Sequence, residues 1–217
     1  FAPVGPELDA DDLPVVAGRI PEALRGVYMR NGPNPLFRPL SYAWPFDGDG
    51  MVHAVYLDNG QARYRNRFVQ TPNVTGDSGD VMANMGDLTR GTGNTHVMRH
   101  QDKILCLEEG HWPWQIDDEL NTLGYVNFDG KLTTSLTAHP KVCPATGELL
   151  GFSYLSPRPP FLHYVRIGAD GQLQQLEGIE IPNMVMMHDF NVTRNHVVFM
   201  DLPVCFDLDA LATGMPF

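Results

Sequence analysis

What this chain lacks narrows its chemistry before any motif is read. Cysteine is scarce: Cys106, Cys143 and Cys205 are an odd number at wide spacing, with no C-x-x-C pair. That indicates neither a disulfide framework nor a thiolate zinc site, and reads as three thiols in a reducing compartment. Positive charge is scarce as well. Against 26 acidic side chains stand 15 basic ones, a net charge of −11, and no run of Lys or Arg could follow a phosphate backbone by releasing counterions. Nucleic acid is therefore not an expected partner, and the acidic balance favours solubility. No stretch approaches the ~20 consecutive apolar residues of a membrane-spanning helix, and no basic amphipathic helix signals attachment to an anionic membrane. Residue 1 is Phe, so a processed leader stays open.

Helical periodicity is nearly absent too. The 217 residues, 43% of them hydrophobic, are enough for a substantial core. Residues 1–25 are Pro- and Asp-rich at their start without periodicity and read as an extended N-terminal arm on the domain surface. From Gly26 onward, through 26–217, short runs rich in Val, Tyr, Phe, Ile and Leu alternate with turn signals every 8–12 residues or so, the pattern of an all-β sandwich, barrel or propeller. Asn59-Gly60 predicts a type I′ hairpin between residues 53–57 and 62–68. Asp129-Gly130, Thr146-Gly147 and Ala169-Asp170-Gly171 predict further hairpins, hence antiparallel meanders. The pattern alone does not choose propeller over sandwich.

Two histidines 49 residues apart carry most of the chemistry: His139 in Thr-Ala-His-Pro-Lys and His188 in Met-Met-His-Asp-Phe. Each lies at or beside a stretch that reads as a short strand, and Pro140 restricts His139 to extended backbone. Imidazoles held on different strands suggest a metal site assembled from distant positions, since neutral imidazole is the commonest metal-binding side chain. Taken singly, either could be a satisfied core or surface histidine. His188-Asp189 also matches the dyad of metal phosphohydrolases, but those dyads lie on helices among other His and Asp residues, and here the neighbours are Met184–Met187 and Phe190–Thr193.

Set beside Arg30-Asn31-Gly32-Pro33-Asn34-Pro35 and Phe46-Asp47-Gly48-Asp49-Gly50-Met51-Val52-His53, these two segments resemble the carotenoid cleavage oxygenase family, non-haem iron enzymes that include the lignostilbene dioxygenases. The resemblance implies a seven-bladed β-propeller with four iron-binding histidines on separate blades. It makes this chain about the N-terminal half of one, with the later two ligands beyond residue 217, and the closing stretch Asp207 to Phe217, a Pro-containing loop with no closing strand, agrees. It makes His139 and His188 the first two ligands of Fe(2+). Glu109, in a segment similar to the family's Leu-x-Leu-x-Glu-Gly-Gly-x-Pro, would hydrogen-bond the far nitrogen of a ligating histidine and fix its orientation. Glu108 competes for that role, because adjacent strand residues face opposite ways; the gapless match to Gly110 and Pro113 favours Glu109. His111 stands where the family often has a second Gly. Thr95, in Gly-Asn-Thr-His-Val, would place its methyl beside the open coordination position, or is an ordinary strand Thr.

The implied reaction inserts both atoms of O2 across a conjugated double bond of a small lipophilic or aromatic alkene, giving two carbonyl products. In the stilbene-cleaving branch a lysine precedes the glutamate, and here that position is Glu108, which favours a carotenoid or apocarotenoid over a stilbene phenolate. A non-catalytic ligand-binding propeller is the reading from another class. The protein is expected to be a cytoplasmic monomer with peripheral membrane contact allowed, and the segment alone is expected to be inactive. Trp112–Trp114, Phe152–Phe161 and Met184–Met187 serve either as tunnel walls or as core. His53, His96, His100, His111, His163 and His196 are read as structural or exposed. Asp47 and Asp49 belong to a Gly-punctuated turn, since the rest of a calcium loop is missing. Asn73-Val74-Thr75 and Asn191-Val192-Thr193 are formal sequons.

Overall fold

The computed structural model describes residues 2–36, 48–76 and 86–206; Phe46, Asp47 and the closing stretch Asp207 to Phe217 lie outside them. Apart from one 3₁₀ turn, Leu88–Arg90, every regular element among the described residues is a β-strand. The chain is all-β and divides into two compact units.

The first unit comprises Phe1–Met85, Arg90–Leu107 and Pro113–Tyr125. Its first sheet holds β1 (Asp9–Ala10), β2 (Gly26–Asn34), β3 (Asp49–Asp58) and β4 (Gln61–Phe68) in the order β1-β4-β3-β2. Between β3 and β4, Asn59 and Gly60 take φ of 47° and 78°, the two positive values a type I′ turn requires, and the pairing runs from Asp58↔Gln61 to Met51↔Phe68. Period-2 alternation sorts β4 cleanly. Ala62, Asn66 and Phe68 are buried, while Arg63, Arg65 and Arg67 meet Glu119, Asp9 and Glu7. The N-terminal residues are tied down by specific bonds. The Leu8 N–H donates to Asn66 Oδ1 at 2.6 Å, the Phe68 N–H to Glu7 Oε1 at 2.9 Å, and the Leu13 N–H to the Ala62 carbonyl at 2.9 Å.

The second sheet of this unit is a meander of β5 (His96–His100), β6 (Lys103–Leu107), β7 (Trp114–Ile116) and β8 (Thr122–Tyr125). Val52 and Ala54 of β3 pack with Ile104, Cys106, Trp114 and Ile116 to form its core. Gly50 explains part of the 46–53 motif: a Cβ there would lie 2.5 Å from the Gly93 carbonyl oxygen, and the Gly50 N–H donates to the Thr92 carbonyl at 3.1 Å. The motif is a structural close approach.

The second unit comprises Gly86–Thr89, Glu108–Trp112 and Val126–Phe217. Its main sheet runs β9 (Lys141–Val142), β10 (Leu149–Ser153), β11 (Leu162–Ile167), β12 (Leu173–Ile179), again antiparallel and consecutive, and β13 (Asn191–Val192) pairs with β14 (Val197–Val198). Four-stranded antiparallel sheets of this kind are propeller blades in their simplest form. Both hairpins expected here form, with Gly147 at φ 74° and Gly171 at φ 76°. The one expected at Asp129-Gly130 does not. Phe128, Asp129 and Gly130 all take positive φ, so the chain turns, but no paired strand follows. Residues 132–138, expected to be a strand, are instead buried irregular backbone held by separate bonds: Leu132 N–H to Asn127, Leu136 N–H to His111 and Thr137 N–H to Phe152, all to carbonyls. Phe152, Tyr154, Leu162, Val185, Met187 and Phe190 form the core, so Phe152 and Met187 are packing residues. Each such fully buried side chain contributes about 1.5–3 kcal/mol.

Candidate metal centre

The second unit brings three of the sequence-predicted residues together. The ligand atoms of Glu109, His139 and His188 all lie within 4.8 Å of one another, the only such group of three among the described residues. Each arrives on irregular backbone. His139 lies two residues before β9, its N–H on Thr137 Oγ1 at 3.2 Å. His188 lies three residues before β13, in a stretch pinned by the Val185↔Cys205 bridge and by the Met186 N–H on the Val204 carbonyl at 2.7 Å. Buried Met187 and Phe190 flank His188 and leave the ring itself outward. Glu109 is two residues past β6, whose apolar Ile104–Leu107 run is buried.

The His139 and His188 Nε2 atoms are 3.0 Å apart, with ring planes at 71°. Metal–imidazole bonds of ~2.0–2.1 Å meeting at a right angle would separate two nitrogens by about 3.0 Å. The same spacing suits a hydrogen bond from one Nε2–H to the other ring's lone pair, so the pair is as compatible with one shared proton as with one shared cation. Behind it, the Glu109 carboxylate contacts His188 Nδ1. An ionised carboxylate accepts the Nδ1 proton and thereby leaves the Nε2 lone pair of His188 facing His139. The Glu109 side chain is only 15% exposed. Burial pushes its carboxyl up to about 7, a rise that the His188 imidazole opposes only in part. Two neutral nitrogens backed by a carboxylate are a donor set that suits Fe(2+), Zn2+ or Co2+.

Glu108 and Glu109 are both employed, which sequence reasoning missed. The Glu108 carboxylate contacts His111 Nδ1. Burial lowers the His111 pKa, but the hydrogen bond and charge of Glu108 outweigh it and the net shift is upward. The i,i+3 spacing of a carboxylate and a histidine was the available signal. Also missed was the ion pair between Lys141 Nζ and Asp189 Oδ1 at 2.6 Å, which lies 48 residues apart in sequence and has no local signature. Thr95 belongs to the first unit, where its N–H donates to the Leu107 carbonyl and its hydroxyl to Asn94 Oδ1, both at 2.9 Å.

The sequence matches the retinal pigment epithelial membrane protein family over residues 1–216. It is 45% identical over 215 residues to a carotenoid cleavage oxygenase of Mycobacterium tuberculosis, covering 95% of this chain and 42% of that protein. It is 38% identical over 248 residues to a carotenoid 9,10(9',10')-cleavage dioxygenase of Crocus sativus, covering 99% and 45%. Among solved structures, the lignostilbene dioxygenase of Pseudomonas brassicacearum superposes with a TM-score of 0.84 at 32% identity, over 99% of this chain and 48% of that one. A cobalt-substituted Synechocystis ACO superposes with 0.72 at 27% identity, over 92% and 47%. The chain thus spans a little under half the length of these relatives, and its strands are those of part of their propeller. With four-stranded antiparallel sheets and a match that runs nearly end to end, the chain belongs to the retinal pigment epithelial membrane protein family, that of the carotenoid cleavage oxygenases.

Proposed function

We propose that this chain supplies two histidine ligands, His139 and His188, to the iron(II) of a dioxygenase that cleaves a conjugated carbon–carbon double bond of a carotenoid or apocarotenoid into two carbonyl products. The observation that carries the proposal is the 3.0 Å approach of the two Nε2 atoms with Glu109 behind His188. Bound iron(II) supplies the activation of O2. The chain's own residues orient that chemistry. Glu109 holds the His188 tautomer, and Pro140 and the Thr137 hydroxyl fix the backbone at His139. Holding the alkene in one position decides which bond is cleaved.

Carotenoid-type substrates are favoured over stilbenes by two observations. Two of the most similar curated relatives, at 45% and 38% identity, are named for carotenoid cleavage. Glu108 also offers no ammonium to a phenolate, its carboxylate being already engaged by His111. Stilbene cleavage is the second reading, favoured by the superposition on the lignostilbene enzyme.

Elemental analysis of anaerobically purified full-length protein tests the ligand assignment. His139→Ala and His188→Ala should each abolish iron retention, and stoichiometric iron in either variant would refute it. Glu109→Gln should keep the fold and lower iron affinity or turnover about 10- to 100-fold; wild-type behaviour would remove Glu109 from the site.

A further inference from the structure

We infer that Lys141 and Asp189 are positioning residues that set the separation of the His139 and His188 rings; the inference rests on the metal reading above. Lys141 follows His139 by two residues and Asp189 follows His188 by one, so one ion pair joins the two histidine-bearing segments close in sequence to both rings. Its Nζ to Oδ1 distance is 2.6 Å.

Both ends of the pair are anchored. Lys141 lies in β9, paired with Leu150 of β10. Asp189 Oδ1 also accepts the Phe190 N–H at 2.8 Å. Phe190 is 1% exposed and packs on Phe152 with ring centroids 4.9 Å apart, and Lys141 Nζ lies 5.6 Å from the centre of the Phe190 ring. The clasp therefore ties the His188 segment to the sheet that carries His139, through a rigid aromatic core.

Neither segment has a strand ladder at its histidine to do this. His139 and His188 are on irregular backbone, where small backbone shifts would move the ring nitrogens relative to each other. At 38% and 48% side-chain exposure an ion pair of this kind adds little to global stability. Its effect is local, on the geometry of the two nitrogens.

The test is Co(II) affinity of the full-length metal-free protein, measured by titration with thermal melting in parallel. Lys141→Met removes the cation and keeps the stem; Asp189→Asn keeps the acceptor for Phe190 and removes the charge. Each should weaken Co(II) binding about tenfold with the melting temperature little changed. Lys141→Arg should restore it, and the double variant should be no weaker than either single one, as coupled partners require. Wild-type affinity in both single variants, alongside loss of binding in His139→Ala, would overturn the clasp and leave the metal reading intact. Additive losses in the double variant would also overturn it. Absence of Co(II) binding by the wild-type protein would overturn the metal reading and the clasp together.

Discussion

Two adjacent carboxylates serve two different histidines, and the difference is one of backbone direction. Past β6 the chain leaves its sheet, so Glu108 and Glu109 are freed from strict alternation and reach His111 and His188 respectively. The Glu108–His111 pair has a pH signature. Because the folded His111 pKa is raised, the pair's contribution is fully present below the ordinary value of 6.5 and is lost as pH rises through the folded value. His111→Gln should therefore cost about 1 kcal/mol near pH 6 and progressively less toward pH 8.5, read from urea unfolding of both proteins across that range. Equal losses at both ends would assign His111 to packing alone. At this scale the grouping of His139, His188 and Glu109 was legible in the sequence because each sits inside a short motif. It was not legible for the partners Lys141 and Asp189, because their meeting depends on how segments 48 residues apart are brought together, and nothing in either segment's own pattern encodes that.

Hairpins show the same division one level up. Asn59-Gly60 and Gly171 act through backbone dihedrals that a local sequence dictates, and they form as expected. Asp129-Gly130 also turns the chain, but the residues that follow are claimed by His111 and Phe152 instead of an adjacent strand. That choice is made by burial, and periodicity does not report it. The buried segment leading to His139 in turn presses on β10. A Cβ at Gly151 would come 2.7 Å from Leu136 Cδ1 and 3.6 Å from Pro140 Cβ. Leu136 is fully buried, so its methyl group would have to shift within a close-packed interior. Gly151→Ala should therefore destabilise by about 1–3 kcal/mol through overpacking, measured by denaturant unfolding. A neutral result would mean the 136–140 segment adjusts freely, and the account of how His139 is held would fail with it.

On the scale of the whole molecule, the length covered matters most. The chain spans a little under half of its relatives, and the described residues offer a prospective metal two imidazoles and a carboxylate already engaged with one of them. Such a set binds Fe(2+) weakly. Full-length protein purified anaerobically should carry about one iron per chain after dialysis against a mild chelator, and residues 1–217 expressed alone should carry far less. Equal iron in both would mean that this segment completes the site by itself. The first sheet carries a different consequence, one of timing. Its strand β1 pairs with β4 alone, Asp9 opposite Arg65. On a ribosome adding ~5–20 residues per second, Arg65 is joined some 3–11 s after Asp9. Strand β1 must wait, exposed, for a partner not yet synthesised, while β2 and β3 between them in the chain are both made before that partner exists.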